Sequence, residues 1–528
     1  MKAASASVKN HLVSSALSAL LRMYWAGRIM LGTFSILLGL VHAAAACEFG
    51  PFPYRGTGIV CRMTKPAALL LNQETAQVIQ AAFRNAKFPN VTGERSMRLL
   101  GRVAYALSDI QVNDLSIERS EVELKEEDSA IHISIRNVTA LFKGTLTYGY
   151  AGAWFLQLFH SVDFEIESSI DLQLNINLMC QKDQVAPDAS DCYLTFHKLT
   201  LHLQGDKQPG WLKQLFTDFI SFTLKLVLKR EVCKEINAVA QTLTNFITDL
   251  AANFVQDKDI IVDISLASDP VIKGRYIESH HKGTVLYKNS SSVLSDSVFS
   301  PSLLTESRML YFWLSEHSLS SLAAAAFLDG QLVLNLRGEK LQELFEMEDT
   351  EMQRKAVQRI FQGTSYNDSV AKVWSLTQPQ ISFQPEGTVV SSSVAVEVSI
   401  LLAGEEPLVV LYMEKEITAT IQATYAEKKL ILQPVDSSVE IKVFKCTADP
   451  SEEDPSIQSF LQNMILVAGI PEITSSIGSA LTSLMNSKRL DLFDIINPEI
   501  ITRKGYVIVQ LDFGFPNHLL LHFLEKSL

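Results

Sequence analysis

Residues 162–178, VDFEIESSIDLQLNINL, alternate apolar and polar almost without error. Val162, Phe164, Ile166, Ile170, Leu172, Leu174, Ile176 and Leu178 hold the even positions, Ser168 is the one exception, and every odd position from Asp163 to Asn177 is polar. Period-2 patterning gives an extended chain one greasy and one wet face. At about 3.3 Å per residue this run spans roughly 55 Å, well beyond the usual strand of about 5–6 residues. A compact core rarely needs such a ribbon. The wall of an elongated sleeve holding something apolar does.

The start of the chain reads as a leader. Arg22 and Arg28 precede the apolar run Leu31–Val41, and His42–Ala46 supply small residues before Cys47, the pattern of a cleaved signal peptide over residues 1–46. Its apolar core is shorter than the ~20 residues a membrane span needs. The leader carries Lys2, Lys9, Arg22 and Arg28 and no acid, so its removal takes the formal charge from −12 to −16. A nucleic-acid surface or a polybasic membrane patch would need clustered excess cations, which this balance disfavours. No second run of 18 apolar residues follows, so the mature chain is expected to be soluble and secreted. Sequons at Asn90, Asn137, Asn289 and Asn367 fit that route and predict surface loops or strand ends. Six cysteines (47, 61, 180, 192, 233 and 446) allow fifteen pairings in an oxidising compartment, and their spacing suits one or two staples on a large domain.

Two halves present the same order of elements. Thr64–Phe88 is helix-like, with Pro66 near its start, and strand-like alternation follows over 103–124, 131–148, 162–178 and 193–203. Residues 209–255 predict a long helix facing inward through Trp211, Leu215, Phe219, Phe222 and Leu226, then Ile236, Val239, Leu243 and Phe246. A strand is expected at 260–266. The second half repeats this loosely: a partly helical 303–327, strands at 331–336, 389–402, 416–443 and 506–513, and a helical stretch at 455–487 bent at Gly469-Ile470-Pro471. Residues 289–301, rich in serine, read as a linker. The last segment, Pro516–Leu528, places Leu520, Phe523, Leu524 and Leu528 on one helical face, suited to docking on apolar surface.

Catalytic motifs are incomplete. Gly363-Thr364-Ser365-Tyr366-Asn367 lacks the last glycine of a nucleophile elbow, and Gly205 to Gly210 has P-loop spacing but is followed by Trp211. His280 and His281 are adjacent; on a strand they point to opposite faces and cannot share a metal. Ser279 and His281 share a face, but a hydrolase also needs an orienting acid and an oxyanion hole. The reading favoured here is a few polar groups on an apolar wall, able to hydrogen-bond an ester or phosphate.

Eight blocks carry a resemblance: IVCRMTKPA (59–67), NVTALFKGTLTYGY (137–150), DCYLTFHKL (191–199), GDKQPGWLKQLFTDFISFTLKLVLK (205–229), YIESHHKG (276–283), SRMLYFW (307–313), LFDIINPEIITRKGY (492–506) and LDFGFPNHLL (511–520). Together they resemble the lipid-transfer family that includes bactericidal/permeability-increasing protein, lipopolysaccharide-binding protein and phospholipid transfer protein.

The resemblance implies an α+β fold: an elongated boomerang of two barrel domains, each with long helices on a highly twisted antiparallel sheet, joined by a central β-sheet. Residues 47–288 and 309–514 would form the two halves, 289–308 the linker and 515–528 a lid helix over the N-terminal opening. A tunnel would hold cholesteryl ester or triglyceride, with phospholipid at two mouths, and pass cargo among HDL, LDL and VLDL lipoproteins. Ser279 and His281 would sit near a mouth, and Val162, Phe164, Ile166, Leu172, Leu174 and Ile176 would face lipid. Cys192 and Cys233 would form a disulfide. No cofactor, metal or catalytic residue is implied. The alternatives are a phospholipid or endotoxin carrier of the same fold, against which the acidic balance argues, and an extracellular lipid hydrolase.

Overall fold

The computed structural model describes residues 54–97, 101–151, 157–181, 184–204, 210–257, 259–288, 298–299, 306–346, 350–361, 363–401, 406–446, 455–487 and 494–514. The leader, the lid segment and most of the linker therefore lie outside the described residues. The first half runs β1 (Ile59–Thr64), α1 (Lys65–Asn85), β2 (Val91–Met97), β3 (Gly101–Ser116), β4 (Arg119–Lys125), β5 (Ala130–Ala151), β6 (Gln157–Gln181) and β7 (Gln184–Leu203). It continues with α2 (Gly210–Leu215), a π turn (Phe216–Ile220), α3 (Ser221–Val255), β8 (Gln256–Asp257), β9 (Ile260–Asp263), β10 (Val271–Lys273), β11 (Tyr276–His281) and β12 (Thr284–Tyr287).

The second half runs β13 (Leu310–Ser315), α4 (Glu316–Leu328), β14 (Val333–Arg337), α5 (Glu339–Phe345), α6 (Glu351–Phe361), β15 (Ser369–Ser375), β16 (Gln380–Gln384) and β17 (Gly387–Ile400). Then come β18 (Leu408–Ala426), β19 (Lys429–Cys446), α7 (Pro455–Met464), a second π turn (Ile465–Gly469), α8 (Ile470–Ser487), β20 (Asp494–Arg503) and β21 (Tyr506–Gly514).

The two halves are topological copies. The first sheet is ordered β2-β3-β5-β6-β7 with β4 off the path on β5; the second is β14-β15-β17-β18-β19 with β16 off the path on β17. Each half opens with a strand running directly into a helix, and each has a long helix interrupted by one π turn. The central sheet, β10-β11-β1-β13-β21-β20, takes three strands from each half and is joined by the antiparallel β1–β13 pair. This is the expected α+β architecture of two curled antiparallel sheets with helices, joined by a shared sheet.

The alternating run folds as β6, 25 residues long and paired along its length with β5 and β7. Phe164, Ile166, Ile170, Leu172 and Leu174 are buried in one core with Ile79, Ala82 and Phe83 of α1 and Leu224, Leu228, Val232 and Ile236 of α3. Gly144 lies opposite Phe164, whose ring covers it: a Cβ there would stand 2.8 Å from Phe164 Cζ.

Two expectations are corrected. Phe222 and Leu226, placed inward by the 3.6-residue count, are 64% and 54% exposed, whereas Leu224 and Leu228 are buried. The π turn inserts an extra residue ahead of α3 and shifts its first turns, whereas Ile236 and Val239 further along are buried as expected. The single strand expected over 416–443 is a hairpin, β18–β19, turning at Glu427 and Lys428 with φ of 50° and 60°. That turn type usually advertises itself with Asn-Gly, and here it does not. Gln458–Ser483 holds no unbroken run of 18 apolar residues, although its length and mean hydropathy would suffice to cross a membrane. In this fold its Phe460, Leu461, Met464, Ile465 and Ile470 are buried in the core of the second half.

Candidate functional site

Alternation along the central strands sorts their side chains onto two unlike faces. On one face Arg62, Glu278, His280, Tyr311, Trp313, Tyr506 and Ile508 are buried, with Tyr54 and Phe299 packed over them. On the other, Ile59, Cys61 and Met63 of β1 register with Leu314, Phe312 and Leu310 of β13, and these in turn with Val507, Val509 and Leu511 of β21. All nine except buried Val507 are only half-buried. This broad apolar surface is incompletely covered by protein.

Ser279 and His281 lie on that half-open face, opposite Cys61 and Ile59. Ser279 Oγ is 2.9 Å from His281 Nε2, and His281 Nδ1 is 2.8 Å from the Ile264 carbonyl oxygen. A carbonyl only accepts, so Nδ1 carries the proton and Nε2 accepts from the Ser279 hydroxyl. Burial pushes the imidazole below its ordinary pKa, the Ile264 bond opposes this only in part, and His280 deepens it. His281 is therefore neutral at physiological pH. Cys61 is a free thiol that burial, aided by the charge of Glu278, pushes up to about 12 despite a hydrogen bond with Ser279. It stays protonated at neutral pH.

The opposite face carries the charge. Arg62 Nη2 and Nε hold Glu278 Oε2 at 2.6 and 2.7 Å, and His280 Nε2 lies 2.8 Å from Glu278 Oε1. The guanidinium stacks 3.9 Å from the Tyr276 ring centroid. Burial alone would raise the Glu278 carboxyl, but His280 and Arg62 outweigh it and hold it below the usual range. Burial, with Glu278 adding to it, also lifts the Tyr54 phenol above its ordinary value. A buried pair with every partner in place is tolerable; half of one is not.

This arrangement bears on hydrolysis. Ser279 and His281 resemble a nucleophile and base, but the atom behind His281 is a backbone carbonyl. The nearby carboxylate, Glu278, points away on the other face, as does His280. Adjacent His280 and His281 therefore do not converge on one ion. What the face offers is apolar area and a few hydrogen-bonding groups.

The face continues into the first half. Met63, Ile272 and Ile277 cluster with Leu124, Ile131 and Leu178, the last apolar residue of the alternating run. Asp269 accepts from the Cys180 backbone N–H at 2.9 Å, pinning that end of β6 beside the central strands. Of the six strand residues assigned to lipid, Phe164, Ile166, Leu172 and Leu174 are at most 1% exposed and pack on helices, while Val162 and Ile176 are half-buried. Ser168, the lone exception to the pattern, is buried, and its hydroxyl has no partner among the described residues. In the second half, an apolar slot of about 40 Å³ lies between β17–β18 and the second π turn, lined by Val394, Val396, Met413, Ile417, Met464 and Ile465 among others.

Cys192 and Cys233 form a disulfide between β7 and α3, with Cα atoms 5.8 Å apart. Cys180 is also disulfide-bonded. Asn90, Asn137 and Asn367 are exposed, Asn137 at a bulge in β5 with φ 58°. Asn289 and the residues expected to form a lid, Leu520, Phe523, Leu524 and Leu528, lie outside the described residues. Sequence reasoning missed the half-open residues of β1 and β13. LYFWLS is apolar on both faces, so its alternation does not register, and only that two-sided apolarity marked it as central.

Comparison with known proteins gives one consistent picture. The profile described as "LBP / BPI / CETP family, N-terminal domain" matches residues 68–245, and the C-terminal domain profile of the same family matches 255–465. The chain is 75% identical over 506 residues to the cholesteryl ester transfer protein of Gallus gallus, covering 96% of this chain and all of that one. It is 50% identical over 497 residues to the Homo sapiens protein of the same name, covering 94% and 100%. A crystal structure of lipopolysaccharide binding protein superposes with a TM-score of 0.50 at 17% identity, over 87% of this chain and 99% of that one, a likeness of fold.

Proposed function

The chain belongs to the LBP/BPI/CETP family, and on that premise we propose that it is a secreted carrier that moves cholesteryl ester and triglyceride, with phospholipid, between HDL, LDL and VLDL particles. The observation that carries the reading is the half-open face of the central sheet. Ile59, Met63, Leu310, Phe312, Leu314, Val509 and Leu511 offer apolar area with little polarity, continuous with the apolar end of β6. A sterol ester has almost no polar group, so a carrier must supply area. At roughly 25 cal/mol per Å², several hundred Å² of contact offsets many kcal/mol lost on leaving a lipoprotein. The names of the Gallus gallus and Homo sapiens relatives support the same cargo.

On this reading 47–288 and 309–514 are two lipid-holding halves around the linker 289–308, and 515–528 is the lid. Ser279 and His281 give an ester carbonyl or headgroup a polar contact at the edge of the face. Val162, Phe164, Ile166, Leu172, Leu174 and Ile176 form a wall that α1 and α3 close in the present conformation and that cargo reaches when those helices separate. No bond in the cargo is broken.

The test is radiolabelled cholesteryl ester in a donor particle, incubated with purified protein and an acceptor. Intact ester is expected in the acceptor, and lipid extracted from the protein is expected to contain neutral lipid. Free cholesterol plus fatty acid, lost in a Ser279→Ala variant, would instead establish a hydrolase. Phospholipid alone in the extract would favour the phospholipid-carrier alternative.

A further inference from the structure

Lys415 is fully buried in the second half, and its ammonium has no hydrogen-bond partner among the described residues. Alternation along β18 puts it on the inner face between Met413 and Ile417, and register places it opposite Val394 of β17 and Ile441 of β19. Met413, Ile417 and Val394 all line the apolar slot. The lysine therefore lies directly beside an apolar slot that its strand neighbours line, with Met413, Ile417, Val394 and Ile441 around it.

The nearby carboxylates are engaged elsewhere. Glu414 accepts from the Tyr412 hydroxyl at 2.8 Å, Glu416 pairs with Lys442 at 3.1 Å, and Glu472, at the slot, pairs with Lys340 at 2.8 Å. Burial, with no charge opposing it, pulls the lysine down to about 8. A buried cation without a counter-ion is costly. The roof of the slot is the π turn Ile465–Gly469, a local irregularity of the kind that recurs at functional sites.

We propose that the interior of the second half binds a long-chain fatty acid, its carboxylate on Lys415 and its tail along the slot between β17–β18 and the π turn. One cation amid Val394, Ile441, Met413 and Ile417 matches a monoanion. A phosphate would leave oxygens facing groups that donate nothing. The tail enters by displacing the π turn, since about 40 Å³ is far below the roughly 300 Å³ at which ligand pockets begin.

Oleate binding to the full-length protein, by calorimetry at pH 7.4, tests this against Lys415→Met, Lys415→Arg and the neutral probe methyl oleate. One oleate per chain is expected, weakened about tenfold or more in Lys415→Met and largely restored in Lys415→Arg. Methyl oleate should bind both proteins equally. Lys415→Met removes a buried unpaired charge, so folding is not at risk. Equal oleate affinity in Lys415→Met, or no stoichiometric oleate binding to the unaltered chain, overturns the proposal. Cholesteryl ester transfer assayed on the same proteins reports separately on the carrier reading.

Discussion

The Ser279 hydroxyl donates to His281 Nε2 across 2.9 Å, on the half-open face of the central sheet. The pair is oriented by the Ile264 carbonyl rather than by an acid. Ser279→Ala is expected to leave lipid esters as intact as before and to cost about 1–3 kcal/mol, because Nε2 loses its donor in a partly desolvated place. Urea unfolding with an ester-cleavage assay on the same sample checks both halves of that statement.

His281 also sets a pH response. Its imidazole is held below the ordinary value, so the folded state binds fewer protons than the unfolded one below about pH 6.5. Its contribution to stability is full above that pH and is lost as pH falls toward the folded value. Melting temperature measured from pH 7.5 to 5 should fall less steeply in His281→Gln. Parallel curves would remove His281 as the cause.

Arg62 and Glu278 make a buried pair at 2.6 Å. Arg62→Met strands the carboxylate and is expected to cost about 3–5 kcal/mol at pH 7. Glu278 is depressed in the native protein, so the pair contributes fully above about pH 4.3 and less as pH falls through the folded value. The gap between Arg62→Met and the unaltered protein should accordingly narrow in acid.

Ser168 interrupts the alternating run with a buried hydroxyl that has no partner among the described residues. Ser168→Ala deletes that hydroxyl while opening little volume, and a gain of about 1–2 kcal/mol is expected. A loss of stability would mean that Ser168 has a partner in solution.

The Cys192–Cys233 bridge closes a loop of 41 residues and clamps α3 onto β7. Replacing both cysteines by alanine should cost about 2–4 kcal/mol. On the carrier reading it should also speed the uptake of a fluorescent cholesteryl ester, because α3 lifts from β6 more readily. Unchanged uptake in a folded double variant would argue against that motion.

How much of this was legible depended on whether the physics was local. The wet and dry faces of β6 could be read directly, since strand period alone fixes them. The inward face of α3 could be read at Ile236 and Val239 but not over its first turns, because a π turn at Phe216–Ile220 shifts the count with no residue to announce it. The β18–β19 turn was hidden for a similar reason: Glu427 and Lys428 adopt positive φ without glycine or asparagine. Adjacent histidines on opposite faces followed from geometry. The pairing of β1 with β13 did not, because a contact between strands about 250 residues apart has no signature in either. Lys415 was invisible too, being one lysine in a strand rich in charge until the fold showed which way it points.

The central claim is that cargo lies on the half-open face built by β1, β13 and β21. A cholesteryl ester carrying a photoreactive diazirine on its acyl chain, loaded into the protein, irradiated and mapped by peptide mass spectrometry, tests it most directly. Adducts at Ile59, Met63, Leu310, Phe312 or Val509 are predicted. Labelling confined to the outer surface, with those five residues unmodified, would contradict the account.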